Sequence, residues 1–119
     1  MKLNIELDNG IIIITKVLMP KIFQYLNYII RFYTNEHLPV HVHVQKQDRE
    51  IKVEFNISGD NITLLFKKVK GKTPLTENEA NEVAIFLKSF YKEIIDKWQT
   101  VFIYQKKVKC DVINKKLKR

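Results

Sequence analysis

A chain of 119 residues is long enough for one domain with a buried core, and its 45% hydrophobic content excludes an intrinsically disordered protein. One cysteine excludes an internal disulfide framework, and no apolar run approaches the roughly 20 residues that a membrane-spanning helix needs. With Glu6 and Asp8 where a signal peptide would carry positive charge, we expect a cytoplasmic protein with no membrane partner.

The formal net charge of +8 is concentrated in a basic C-terminal tail, residues 105–119, which holds seven basic residues and one acid. Such a tail attracts RNA or another polyanion without reading its sequence. The residues predicted to bind nucleic acid are Lys106, Lys107, Lys109, Lys115 and Lys116. A solubilising, partly disordered terminus is the alternative.

The first 18 residues predict an N-terminal hairpin extension. Leu3, Ile5 and Leu7 alternate with polar residues, Asn9-Gly10 is a strong turn signal, and a β-branched run follows. An α+β domain is expected over residues 19–104. Its predicted strands are 22–25, 28–33, 40–46, 50–57 and 62–66, with turns at 26–27, 47–49 and 58–61.

The pattern then changes to a helical period. Thr76 and Glu79 have the spacing of a capping box, and apolar residues follow at intervals of three and four up to Trp98. Residues 100–104 fit a continued helix or a short strand. The predicted fold class is α+β: a meandering, mostly antiparallel sheet of about five or six strands, then one long amphipathic helix packed on one face.

All three histidines of the chain lie within seven positions, at His37, His41 and His43. On a strand, His41 and His43 point to the same face with Cα atoms about 6.6 Å apart, which lets two imidazoles approach one ion. Together with His37 and Glu36 they make a candidate site for zinc or a similar divalent metal.

A second interpretation needs no metal. If the strands 28–33 and 40–46 pair, Arg31 or Tyr33 lies near His41 or His43, and this set suits phosphate binding and acid–base cleavage of RNA. A third interpretation is that the two histidines are structural, or simply exposed polar residues on the solvent face. No glycine-rich phosphate loop, cysteine pair or serine nucleophile motif is present, which disfavours those enzyme classes.

The runs Met19-Pro20-Lys21-Ile22-Phe23 and Ile30-Arg31-Phe32-Tyr33-Thr34-Asn35-Glu36-His37-Leu38-Pro39-Val40-His41-Val42-His43-Val44 resemble the bacterial family named "domain of unknown function 4160". Lys52 and Trp98 also agree, whereas Val40 stands where the family usually has a second proline. The resemblance covers residues 19–98, without the first 18 residues or the basic tail. It implies a small α+β domain of a kind often discussed as toxin–antitoxin-like, and it implies that Glu36, His37, His41 and His43 matter.

Three functions stay open at this point. The protein is a component of a toxin–antitoxin-like module that binds or cleaves RNA, or a metal-binding protein built on the histidine cluster. Alternatively, it is a non-enzymatic interaction module that pairs with a small protein encoded nearby through an open sheet edge or the helix. Whether it is an enzyme stays open with them.

Overall fold

The computed structural model describes residues 20–33 and 39–118, and in these ranges it contains six strands and one helix. The elements are β1 Lys21–Tyr25, β2 Tyr28–Arg31, β3 His41–Lys46, β4 Arg49–Ser58, β5 Asn61–Lys68, α1 Glu77–Phe102 and β6 Asp111–Ile113. The strands form one sheet in the order β5-β4-β3-β2-β1-β6, antiparallel except that β6 runs parallel to β1. The predicted α+β class is confirmed, whereas the predicted N-terminal hairpin lies outside the described residues.

Short turns set the register of the meander. Leu26 and Gln47 begin the β1–β2 and β3–β4 turns with φ angles of 51° and 55°, in the left-handed region that two-residue hairpin turns require. Gly59 fills the corresponding position in the β4–β5 turn with a φ of 62°. Because side chains alternate between the two faces of a strand, these turns decide which residues share a face.

The hydrophobic core lies between one face of the sheet and α1. Phe86 of the helix stacks on Tyr25, with ring centroids 4.5 Å apart, and meets Phe23 edge-on at 5.3 Å. All three side chains are buried, and burying one aromatic ring of this kind contributes roughly 1.5–3 kcal/mol. The amphipathic helix therefore covers the sheet as its sequence pattern predicts.

The helix begins at the predicted capping box. The Glu79 N–H donates to the Thr76 hydroxyl, and the Thr76 N–H donates to the Glu79 carboxylate at 2.9 Å. Glu79 also accepts from Arg49 and pairs with Lys46, which ties the first helical turn to the β3–β4 hairpin. The Arg49 guanidinium and then the Thr76 backbone hydrogen bond lower the pKa of Glu79 to about 2.

The structure after Trp98 decides between the continued helix and the short strand, and it contains one strand that the sequence did not predict. The helix continues to Phe102, and β6 then joins the sheet beside β1. The Lys97 ammonium fixes this end of the chain, since it donates to the Ile22 carbonyl at 2.9 Å and to the Asp111 carboxylate at 2.7 Å. Three residues of the basic tail are therefore part of the sheet. No helix in the described ranges has the length and apolar character needed to cross a membrane.

Candidate histidine–carboxylate site

The β3 strand carries two kinds of side chain on its two faces. Val42 and Val44 are fully buried in the core beneath α1, as their alternation predicts. His41 and His43 lie on the opposite face, and each is only 3% exposed. The interpretation that they are exposed polar residues is therefore wrong, because polar groups buried to this degree need hydrogen-bond partners.

His43 is held between a carboxylate and an aromatic ring. Its Nδ1 lies 2.8 Å from Oε2 of Glu50, which is itself only 2% exposed. The Tyr33 ring lies parallel to the imidazole, with centroids 3.7 Å apart, and the Tyr33 hydroxyl donates to the same carboxylate oxygen at 2.9 Å. The stacked Tyr33 ring thus fixes the plane of the His43 imidazole, and the contact with Glu50 fixes the orientation of the ring within that plane.

Glu50 is the acceptor at the centre of this arrangement. Its second oxygen, Oε1, accepts from the Gln45 amide at 3.0 Å, so the carboxylate receives three side-chain hydrogen bonds. Burial by itself would raise the pKa of Glu50, but the hydrogen bonds from Gln45, His43 and Tyr33 together hold that pKa below its usual value. Burial and the bond to Glu50 raise the pKa of Tyr33 to about 12. We call Tyr33, His43, Gln45 and Glu50 the carboxylate network; at neutral pH it contains an ionised Glu50 and a protonated Tyr33.

Arg31 joins the carboxylate network from β2. The antiparallel register places Arg31 directly opposite His43, and the Arg31 guanidinium donates to the Gln45 side-chain oxygen at 2.8 Å. The prediction that Arg31 and Tyr33 lie near the histidines is confirmed. Their predicted catalytic roles are not tested by position alone.

His41 lies beside His43 but has a different partner. Its Nδ1 is 2.7 Å from the Pro39 carbonyl oxygen, and the two imidazole centroids are 5.5 Å apart with their planes at 65°. A carbonyl oxygen only accepts, so Nδ1 of His41 must carry the proton. Nδ1 of His43 likewise faces an ionised carboxylate. In each neutral ring, Nε2 is therefore the nitrogen with the lone pair, which is the form needed for a base or a metal ligand.

A charged cluster adjoins the histidines on β4 and β5. Glu54 lies opposite His41 and is 8% exposed, and its carboxylate pairs with Lys67 at 3.0 Å and with Lys52 at 3.6 Å. The hydrogen bond from Lys67 is the main reason that the pKa of Glu54 is lowered. This face of the sheet is therefore densely ionic.

The other predicted site residues are two metal ligands and the tail lysines. Glu36 and His37 lie outside the described residues, and within 20–33 and 39–118 no group of three or more His, Cys, Asp or Glu side chains is arranged to hold a metal ion. The tail lysines flank β6, and β1 and β2 separate that strand from β3. At about 4.8 Å between neighbouring strands, β6 lies some 14 Å from the histidine strand β3.

Sequence reasoning missed Glu50 and Gln45. The signal that could have found them is the hairpin register, because a two-residue turn at Gln47-Asp48 places Gln45 opposite Glu50 and His43 opposite Lys52. A carboxylate and an amide on the same face as a histidine pair are then natural partners for it.

Comparison with known families places this chain in one of them. The family model described as "Domain of unknown function (DUF4160)" matches residues 27–99, which is more than half of the chain and includes the histidine strand, the carboxylate network and most of the helix. No curated protein and no solved structure matches the chain.

Proposed function

The chain belongs to the family described as a domain of unknown function, DUF4160, and on that premise we propose that its buried histidine–carboxylate site cleaves RNA by acid–base catalysis. The observation that carries the proposal is the 2.8 Å contact between His43 and Glu50, with Arg31 directly opposite His43. In this proposal the protein acts as the RNA-directed component of a toxin–antitoxin-like module, together with a small partner protein encoded nearby.

The proposed reaction is a transesterification within the RNA. Nε2 of His43 removes the proton of a ribose 2′-hydroxyl, whose oxygen forms a new bond to the adjacent phosphorus. The bond from phosphorus to the 5′-oxygen breaks, and a protonated His41 supplies the proton to that oxygen. Arg31 compensates the charge on the phosphate, for which a guanidinium is well suited. The products are a 2′,3′-cyclic phosphate and a free 5′-hydroxyl.

The Glu50 carboxylate supports this chemistry by holding His43 in the required tautomer and by stabilising the imidazolium that forms. Because both imidazoles are almost fully buried, the reaction requires the side chains that cover them to move when RNA binds. Tyr33, which lies flat on His43, is one of these side chains. The tail lysines would supply sequence-independent affinity, and they do not take part in the reaction.

The test is cleavage of a fluorescent single-stranded RNA by purified protein and by His43→Gln, His41→Gln and Lys88→Gln. Lys88 is an exposed helix residue and serves as the control. We expect each histidine variant to lose about 10²–10⁴-fold in rate, the usual contribution of general acid–base groups, and Lys88→Gln to lose none. An oligonucleotide with 2′-deoxyribose at the cleaved position should resist cleavage. Equal cleavage by all variants, or cleavage of the deoxy substrate, would refute the proposal.

A metal site is a second candidate, and one observation favours it. Metal-binding histidines usually donate their other ring N–H to a carboxylate or a backbone carbonyl, and Nδ1 of His43 and of His41 faces these two kinds of acceptor. His37 and Glu36 would complete the ligand set for zinc or a similar divalent ion. Elemental analysis of the purified protein and of His41→Ala, each refilled with zinc and dialysed, tests this. A stoichiometric ion that His41→Ala loses supports it, and protein that holds no ion after refilling refutes it.

A further inference from the structure

The register of the sheet aligns four side chains across four adjacent strands. Arg31 on β2 is opposite His43 on β3, His43 is opposite Lys52 on β4, and Lys52 is opposite Lys67 on β5. Directly opposed residues point to the same face, so all four lie on the face away from α1. We call its three charged members, Arg31, Lys52 and Lys67, the cationic row, and His43 lies in line with them. At about 4.8 Å between neighbouring strands, the row extends roughly 14 Å across the sheet.

From His43 toward β5, the side chains of this alignment become more accessible. The Lys52 side chain is 25% exposed and the Lys67 side chain is 55% exposed, whereas His43 is nearly buried. These two lysines carry two positive charges and share one carboxylate, Glu54, so one positive charge among the three groups is not compensated. The face therefore offers an accessible positive edge that leads inward to the histidine and to Arg31.

We propose that the cationic row binds the phosphate backbone of single-stranded RNA and leads it across the sheet to His43. This inference rests on the proposed function and deepens it by naming the substrate class. A nearly buried imidazole must reach a ribose hydroxyl, and an unpaired strand can bend to meet it whereas a stiff A-form duplex cannot. The phosphates of a single strand also follow one another along a line, as the cations of the row do, so several of them can pair with the row at once.

The sheet provides a matched control for this proposal in two neighbouring lysines. Lys67 lies opposite Lys52 on the histidine face, whereas Lys68 lies opposite Ile51 and points to the helix face. Lys67→Gln and Lys68→Gln remove the same charge from adjacent positions of one strand, so non-specific electrostatics change almost equally. Only the placement of the lost charge differs.

The experiment measures binding of a fluorescent single-stranded oligonucleotide made entirely of 2′-deoxyribose, so that cleavage does not interfere. Affinity is measured by anisotropy over a series of salt concentrations. We expect Lys67→Gln, and likewise Lys52→Gln, to lower the slope of log K against log salt by about 0.7 and to weaken binding about fivefold at 0.1 M salt. Lys68→Gln should stay within about twofold of the parent protein, because the Lys68 ammonium lies on the opposite face of the sheet and its charge is screened over about 10 Å.

Equal effects of Lys67→Gln and Lys68→Gln, or no effect of either, would overturn the cationic row. A duplex of the same sequence that binds as tightly and with the same dependence on Lys67 would also overturn it. These failures are separable from failure of the proposed function. If cleavage depends on His43 but Lys67→Gln and Lys68→Gln weaken binding equally, only the proposal for the cationic row is refuted. If binding depends selectively on Lys67 but no RNA is cleaved, only the acid–base proposal is refuted.

Discussion

Replacement of Glu50 is the most informative single perturbation of this protein, because one buried carboxylate accepts from His43, Tyr33 and Gln45. Glu50→Ala leaves three donors without their acceptor in a region with little access to solvent. Each buried donor that loses its partner costs about 1–3 kcal/mol. Water can enter the polar space that the side chain leaves and recover part of the loss. We therefore expect Glu50→Ala to lower the free energy of unfolding by about 3–5 kcal/mol.

Glu50→Gln tests the loss of hydrogen bonding without the loss of side-chain volume that Glu50→Ala also causes. The amide has nearly the same shape as the carboxylate, but its NH₂ group must point at a donor, either toward Gln45 or toward His43 and Tyr33. Gln45 cannot simply rotate to compensate, because its side-chain oxygen accepts from Arg31 at 2.8 Å. One hydrogen bond is therefore lost, and we expect Glu50→Gln to lower the free energy of unfolding by about 1–2 kcal/mol.

The assay is urea unfolding followed by circular dichroism, with the free energy obtained by linear extrapolation. Glu93→Gln, an exposed change of the same kind on α1, is the control and should stay within about 0.5 kcal/mol of the parent. Glu50→Gln combined with Tyr33→Phe should cost less than the sum of the two changes, because both act on one network. A Glu50→Gln protein as stable as Glu93→Gln would refute the carboxylate network.

Three further predictions concern the scaffold. Thr76→Ala removes the helix cap and should cost about 1 kcal/mol in urea unfolding, whereas Thr76→Ser should cost little. Lys97→Met removes the ammonium that holds the Ile22 carbonyl and Asp111; amide hydrogen exchange should show β6 losing protection while β3 and β4 keep theirs. Acid should destabilise the fold: the pKa values of Glu79, about 2, and of Glu50 are lower in the folded than in the unfolded chain. Their contribution is therefore complete above the usual carboxyl pKa of about 4.5 and is lost as pH falls toward 2, which urea midpoints between pH 7 and pH 2 will measure. A midpoint that stays constant over this range would contradict the assignment.

The sequence predicted the elements whose signals are local. The alternation of apolar residues and the Thr76–Glu79 spacing each act within a few positions, and the structure confirms both. Among the predicted turns in the described ranges, 26–27 is confirmed, whereas the other two are shorter than predicted and contain residues 47–48 and 59–60. The alternation of β3 also predicted correctly that Val42 and Val44 face the core. These features follow from backbone geometry and from burial of apolar surface, and both are readable from a single chain.

The features that the sequence did not predict depend on contacts distant in the chain. β6 has three residues within a lysine-rich stretch, and it is held by β1 and by Lys97 rather than by its own propensity. The role of Glu50 depends on the register of the β3–β4 hairpin. A turn of 47–49, as predicted, would place His43 opposite Val53, whereas the observed two-residue turn places it opposite Lys52 and brings Gln45 opposite Glu50.

The pairing of β6 with β1 joins segments from near the two ends of the described chain. Such a contact closes a very long loop, and the entropy of that closure opposes its formation early in folding. During synthesis on the ribosome, the meander from β1 to β5 and the helix leave the exit tunnel before β6 does. Among the described strands, the outer edge of β1 therefore has no partner until β6 arrives, so this edge of a nascent chain is exposed to mispairing during that interval.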